Sequence, residues 1–473
     1  MTTDTTPLHT VTDDALGDLD AVGVAVAIAD GSISALEAAE AAIARVERVD
    51  PALNAVQTPD FDRARDQARA PRAGLLSGVP SFVKDNTAVA GLPTDQGSLA
   101  TRSRPATQDD PFTQQLRHSG LVVLGKTTMP EFGFNASTEY ESLPPTRNPW
   151  NTAFSPGGSS GGSAALVAAG AVPIAHANDG GGSIRIPAAA CGLVGLKPTR
   201  GRVVPAAESK SLPVDIVSNG VVSRTVRDTA HFLAATQQFL PAKGLPPLGL
   251  VEGPGDRRLR VGLLLDSATG RPTDDDSRRV VTEAANLIAS LGHAVEPVEL
   301  PAHTDQFREA FKHYWSLLAF STRHFGKQAM HSPDFDGALT DSLTQGLAAK
   351  FVRSFWRLPL TIRALKQSEQ HYRDAFGHVD VVLSPVTGYV TPRLGYLNPS
   401  VGFETHFERL VDFAAFTPLH NANGAPGVSL PLGTSSEGMP VGVHVSAMHG
   451  DEQTLLELAY ELEAAQPFKT IWG

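Results

Sequence analysis

Cysteine is almost absent from this chain. Cys191 stands alone among 473 residues, so no disulfide can form within the chain. Long apolar runs are missing too: the longest nearly uncharged stretch, Ala164 to Ala177, is broken by Gly170 and Pro173 and is too short to span a bilayer. Positive charge is in deficit. The 39 Lys and Arg face 50 Asp and Glu, and the net charge of −11 repels phosphate backbones and anionic lipid, arguing against nucleic acid or membrane as partners. The opening stretch Met1 to Asp20 is acidic, without the basic start and apolar core of a secretory signal. No H-E-x-x-H and no paired-cysteine motif occurs, which argues against a catalytic zinc, and no cofactor is expected. What is present suffices for a large core: 41% of the residues are apolar. These features describe a soluble protein of the reducing cytoplasm.

Helical and strand-like stretches alternate. Residues 34–49 open with Ser34 and Glu37 as a capping box, and Leu36, Ala39, Ile43 and Val46 recur at helical spacing. Short branched runs at Leu121 to Leu124, Val261 to Leu265 and Val381 to Leu383 read as buried strands. After the second of these a helix opens between Pro272 and Ser277 and closes at Gly292, and a strand follows through Val295 and Val298. Such alternation points to a layered α/β architecture. Residues 241–257, rich in Pro and Gly, are the best candidate for an internal linker, and 303–376 reads as a mostly helical lobe.

The densest chemistry lies in 156–185, where two Gly/Ser loops flank an apolar piece. Ser163 to Gly170 suits a short helix of roughly 12 Å at about 1.5 Å per residue. A strand over Val172 to Ala177, roughly 17–20 Å at about 3.3 Å per residue, can run back beside it and return the second loop to the start of the first. Ser159 and Ser183 can therefore meet. Gly180, Gly181 and Gly182 carry no side chains, so their N–H groups can converge just before Ser183, as an oxyanion hole requires. A lone Gly-Ser run is ordinarily a flexible turn; two of them around one helix-strand pair make a built site the better reading.

A serine nucleophile needs a base. No histidine stands at a suggestive spacing, and His176 falls inside the expected strand as a core residue. Lysine can serve where burial disfavours its charge, since its pKa of about 10.4 can fall by roughly 3–5 units in an apolar site. Lys84 ends the apolar run G-V-P-S-F-V-K, an unusual place for a lysine, although taken alone it also fits a snorkelling surface residue. Two further motifs compete. Gly120 to Thr127 formally matches the phosphate loop G-x-x-x-x-G-K-[ST], but its four variable positions are themselves the strand and Pro130 interrupts any following helix. Gly157 to Gly161 matches the G-x-S-x-G elbow of α/β-hydrolases, with Ser159 as nucleophile, but Pro149 and Pro156 occupy the place of the strand that must precede an elbow.

The run G-G-S-S-G-G-S (157–163), D-G-G-G-S-I-R-I-P-A (179–188) and the upstream K-D-N (84–86) resemble the amidase signature family. G-V-P (78–80), L-G-K-T-T-M-P-E-F (124–132), T-R-N-P-W-N (146–151), C-G-L-V-G-L-K-P-T-R-G (191–201), N-G-A-P-G-V-S-L-P-L-G (423–433) and G-M-P-V-G-V-H-V (438–445) follow in the family's order, leaving 205–410 less covered. The resemblance implies one α/β/α domain over 1–473 around a large mixed β-sheet. Its signature core lies at about 78–205 and a more variable helical substrate-pocket region at about 303–376, and 241–257 becomes a surface crossing. It also implies a Ser–cis-Ser–Lys triad: Lys84 as base, Ser159 as cis-serine and Ser183 as nucleophile forming an acyl-enzyme. The N–H groups of Gly180, Gly181, Gly182 and Ser183 would hold the oxyanion, Gly133 and Phe134 would line the acyl pocket, and Asp179 and Arg185 would brace the nucleophile. Two positions depart from the pattern. Position 180 is Gly where many members carry Thr or a branched apolar residue, and position 128 is Thr where Asn is common.

The expected activity is therefore hydrolysis of small carboxamides or short amides to carboxylate and ammonia or amine. Among relatives, T-R-N-P-W-N and the H-A-N-D-x-x-G-S-x-R-I-P stretch look most like bacterial amidases, including the cyclic-oligoamide (nylon oligomer) hydrolase group. A glutaminase subunit of a tRNA-dependent amidotransferase is the alternative within the family, and a nucleotide-binding protein built on Gly120 to Thr127 the alternative outside it. Further pocket residues are expected from 133–137, 303–376 and the loop near Phe413 to Asn423, and family habit suggests a homodimer.

Overall fold

The computed structural model describes residues 7–205, 209, 212–301, 303–330 and 332–473. Residues 1–6 of the acidic opening stretch and position 331 of the expected lobe lie outside the described residues. Eleven strands are present among those described: β1 Val56–Pro59, β2 Pro80–Lys84, β3 Val122–Thr127, β4 Ile174–Asp179, β5 Val194–Lys197, β6 Ser218–Ser223, β7 Arg260–Leu263, β8 Ala294–Pro297, β9 Val381–Pro385, β10 Gly427–Thr434 and β11 Pro440–Ala447. The last eight form one mixed sheet in the order β4-β6-β5-β10-β11-β9-β7-β8. Its far end, β9-β7-β8, is parallel and the rest antiparallel.

Helices cover both faces. Gly433 pairs with Val441, and a Cβ on Gly433 would strike Val280 of helix Asp275–Ser290. The next residue along β11, Gly442, abuts Ala189 of helix Arg185–Cys191. Successive strand residues point to opposite faces, so these helices lie on opposite sides of the sheet. The architecture is the expected α/β/α sandwich.

Strands β1, β3 and β2 form a separate three-stranded sheet, where the sequence suggested a single large one. The break has a local cause. The N–H of Lys84, at the end of β2, donates to the ring Nδ1 of His176 in β4 (3.2 Å), so a side chain takes the place of a backbone carbonyl and the ladder stops there. His176 is fully buried against Phe112, and burial lowers its pKa to about 3, with the charge of Lys84 adding to the effect.

The capped helix at 34–49 is present as Ala35–Leu53, with both capping-box bonds made. The segment 241–257 is an irregular crossing between helix Val226–Phe239 and β7, tied down by Arg202 donating to the Pro246 carbonyl and Tyr460 to that of Val251. Helices Thr304–Ala329, Ser342–Val352 and Leu358–Phe376 make up the lobe expected at 303–376. Among the described residues no helix is long and apolar enough to cross a membrane.

Candidate active site

Three elements deliver the polar groups. The first glycine loop leads into helix Gly161–Ala168, β4 runs back beside that helix, and β2 lies against β4. The helix and strand begin about one half-turn and two residues away from the expected 163–170 and 172–177, yet the return path is the same. Ser160 Oγ donates to the Ser183 carbonyl oxygen at 2.6 Å, tying the two glycine loops together. The peptide bond between Gly158 and Ser159 is cis.

Lys84 is fully buried, not a snorkelling residue. Its Nζ donates to Ser159 Oγ and to Asn178 Oδ1, each at 2.7 Å. Asn178 escaped the sequence reading. It stands two residues after His176 on β4, so both side chains project toward Lys84, and that alternation was the available signal. Thr417 also went unnoticed: its hydroxyl donates to the Gly181 carbonyl at 2.7 Å and holds the second loop from a distant segment.

Asp179 and Arg185 form a fully buried pair, with Arg185 Nε 2.9 Å from Asp179 Oδ2. Burial alone would raise the Asp179 pKa, but the Arg185 charge and hydrogen bonds from Arg185 and Asn421 hold it well below the ordinary carboxylate range. Asn421 donates to both the carboxylate and the backbone carbonyl of Asp179 (2.9 and 2.8 Å). The Gly182 N–H, expected from the sequence among the oxyanion donors, donates to Asp179 Oδ1 at 2.6 Å. The carboxylate already claims that donor and turns it inward, whereas Gly180, Gly181 and Ser183 line a cavity.

That cavity, of about 370 Å³, also takes in Ser159, Asn178, Gly133 and Phe134. Phe132, Ile216, Phe311 and Trp315 make its walls mostly apolar, and Arg308 and Lys312 add two cations. The segments 133–136, 303–376 and 414–420 all contribute, as the sequence suggested, and 212–217 joins them. The two competing motifs find no support. Gly120 to Thr127 is chiefly β3 rather than a loop, and its lysine, Lys126, is buried against Asp85. Among the described residues no strand leads directly into Ser159, as an elbow would need.

The family model described as Amidase matches residues 37–456. The chain belongs to the amidase family. Its relatives include "Putative amidase AmiC" of Mycobacterium bovis, 47% identical over 466 residues and spanning 98% of each chain. The 6-aminohexanoate-cyclic-dimer hydrolase of Paenarthrobacter ureafaciens is 35% identical over 484 residues, covering 95% of both. A solved structure of 6-aminohexanoate cyclic dimer hydrolase with its substrate superposes with a TM-score of 0.84 at 32% identity, over 95% of this chain and 98% of that one. This amidase is an enzyme that hydrolyses amide C–N bonds.

Proposed function

We propose that this amidase works through Lys84, Ser159 and Ser183, and that the whole of 1–473 serves as one catalytic unit in the cytoplasm. The observation that carries the reading is the fully buried Lys84 Nζ at 2.7 Å from Ser159 Oγ, on the wall of the cavity that Ser183 also lines. Ser183 Oγ attacks the amide carbonyl carbon while its proton passes to Ser159 Oγ and the Ser159 proton passes to Lys84 Nζ. The N–H groups of Gly180, Gly181 and Ser183 receive the developing oxyanion. When the C–N bond breaks, the proton held by Lys84 returns through Ser159 to the leaving nitrogen. Water then attacks the Ser183 ester over the same relay and releases the carboxylate. Asn178 orients the Lys84 amine, and the Asp179–Arg185 pair fixes the loop that carries Ser183.

The cavity favours small carboxamides and short amides with an apolar acyl part, which Phe134, Phe311 and Trp315 can flank. A linear or cyclic 6-aminohexanoate amide is a natural candidate by analogy with the relatives. A glutaminase role is the weaker reading, because amidases and cyclic-dimer hydrolases are more similar to this chain than the amidotransferase subunit is.

Labelling with a fluorophosphonate probe, followed by peptide mass spectrometry, tests the assignment. The adduct is expected on Ser183. Ser183→Ala, Ser159→Ala and Lys84→Ala should each lower kcat at least about 10³-fold on a panel of aliphatic, aromatic and 6-aminohexanoate amides. An adduct on Ser159 with an active Ser183→Ala variant would overturn it.

A further inference from the structure

The lysine of the false phosphate loop has a different place in the molecule. Lys126 is fully buried in β3, where Val83 is its neighbour on β2, and its Nζ lies 2.9 Å from Asp85 Oδ1. The same Nζ donates to Thr94 Oγ1 at 2.7 Å and to the Pro93 carbonyl at 2.8 Å. Asp85, which follows Lys84 in the chain, is equally buried. Its Oδ2 accepts the N–H groups of Gln96 and Asp95 at 2.8 and 3.1 Å. The connection continues. The Gln96 carbonyl accepts the Phe132 N–H at 2.8 Å, and Gly133 approaches Ser159 so closely that a Cβ there would sit 3.1 Å from its Oγ. One ion pair thus clamps the end of the strand bearing Lys84 and, through the 93–96 loop, the turn that packs on Ser159 from the other side.

We propose that the Asp85–Lys126 pair is the positioning unit of this site, holding Lys84 and the Phe132–Gly133 turn at fixed places on either side of Ser159 and presenting Lys84 with a field in which two buried charges cancel. The proposal rests on Lys84 being the base. Neither residue touches the reacting atoms, so neither is catalytic. Burial of so many polar groups is costly unless each is satisfied, and leaving one charge of such a pair alone costs more than removing both. Burial drives both partners toward their neutral forms, the Asp85 carboxyl upward and the Lys126 ammonium downward, so the pair carries no net charge wherever its proton sits. The other titratable groups sensing it are few. Asp95 acts on both partners, Tyr140 feels Asp85, and His176, held neutral, feels Lys84 and Lys126.

The test uses the full-length enzyme and an uncharged carboxamide, with kcat and kcat/KM followed against pH and folding checked by circular dichroism. Lys126→Met leaves the Asp85 carboxylate near Lys84 and should move the acid limb of kcat/KM upward by on the order of one pH unit; Asp85→Asn leaves the Lys126 cation and should move it downward by a similar amount. The double variant should return the limb to within about 0.3 unit of the parent. Its plateau kcat should nevertheless remain at least about tenfold lower, because the 93–96 loop has lost its clamp. Lys126→Arg, which keeps the charge, should hold the parental limb. Limbs that stay put in both single variants, or move together in one direction, overturn the proposal. If a single variant does not fold, the double variant decides, and a parental plateau there overturns it as well. The two readings fail separately: an active Lys84→Ala removes the base itself, whereas an inactive Lys84→Ala with unmoved limbs removes only the positioning role.

Discussion

Gly180 and Gly182 look interchangeable in the run D-G-G-G-S, but the molecule uses them differently. A Cβ on Gly180 would meet only Val217 at 3.6 Å, an ordinary contact, so the absence of the larger residue common at this position enlarges the cavity wall without straining the loop. At Gly182 the φ is +131°, and a Cβ would stand 2.2 Å from Thr417 Oγ1 and 2.7 Å from Ile186 Cδ1. Gly180→Ala is therefore expected to fold normally and keep kcat within about threefold, whereas Gly182→Ala should lose about 2–3 kcal/mol of stability and most turnover. Thermal melts and steady-state rates on the pair check this, and equal behaviour of the two variants would refute it. At this scale the sequence singles out the serines, the lysine and the glycines as candidates by their company. It missed Asn178 and Thr417 because a single Asn or Thr carries no pattern until its partner's position is known.

The Asp179–Arg185 pair joins the last residue of β4 to the first of helix Arg185–Cys191, and everything between them is the loop that bears Ser183. Asp179→Asn would leave the Arg185 guanidinium buried without its counter-charge, a loss expected to cost about 3–5 kcal/mol. Urea unfolding measures it, and a change below about 1 kcal/mol would show that Asn421 and the remaining dipoles suffice. Element boundaries were less legible than element types. Helix Gly161–Ala168 begins at glycines that propensity places outside a helix. They belong inside because of close packing: a Cβ on Gly161 would meet Thr138 Oγ1 at 2.1 Å, and one on Gly162 would meet Thr128 Oγ1 at 2.4 Å. Strand β4 likewise continues to Asp179 because β6 offers ladder partners as far as Ser218. Neither fact is local to the segment concerned.

Over the whole molecule, burial holds several groups neutral, and their effects on stability oppose each other. His176 and His406 have pKa values lowered to about 3 and about 4, each chiefly by burial. Such a histidine binds a proton in the unfolded chain below about 6.5 but not in the fold. Its contribution is therefore complete above that pH and is lost as pH falls, by about 2 kcal/mol at pH 5 for each. Asp228 and Glu463, raised to about 7 by burial, act in the other direction, losing their contribution as pH rises from about 4 to 7. The histidine effect is isolated by His406→Gln. Relative to the variant, the parent should lose about 2 kcal/mol between pH 7 and pH 5 in urea melts, and a constant difference would refute the assignment. The sequence by itself determined the class of fold, the family and the two glycine loops, and it singled out Lys84, Ser159 and Ser183 as candidates, because these depend on residue type and on order along the chain. Only the tertiary structure decided that the sheet breaks where His176 takes the Lys84 N–H, that Asp179 claims the Gly182 donor, and that the lysine of a phosphate-loop look-alike pairs with Asp85 beside the site. Those outcomes depend on which groups compete for one donor or one buried charge, and that competition exists only once distant segments are packed together.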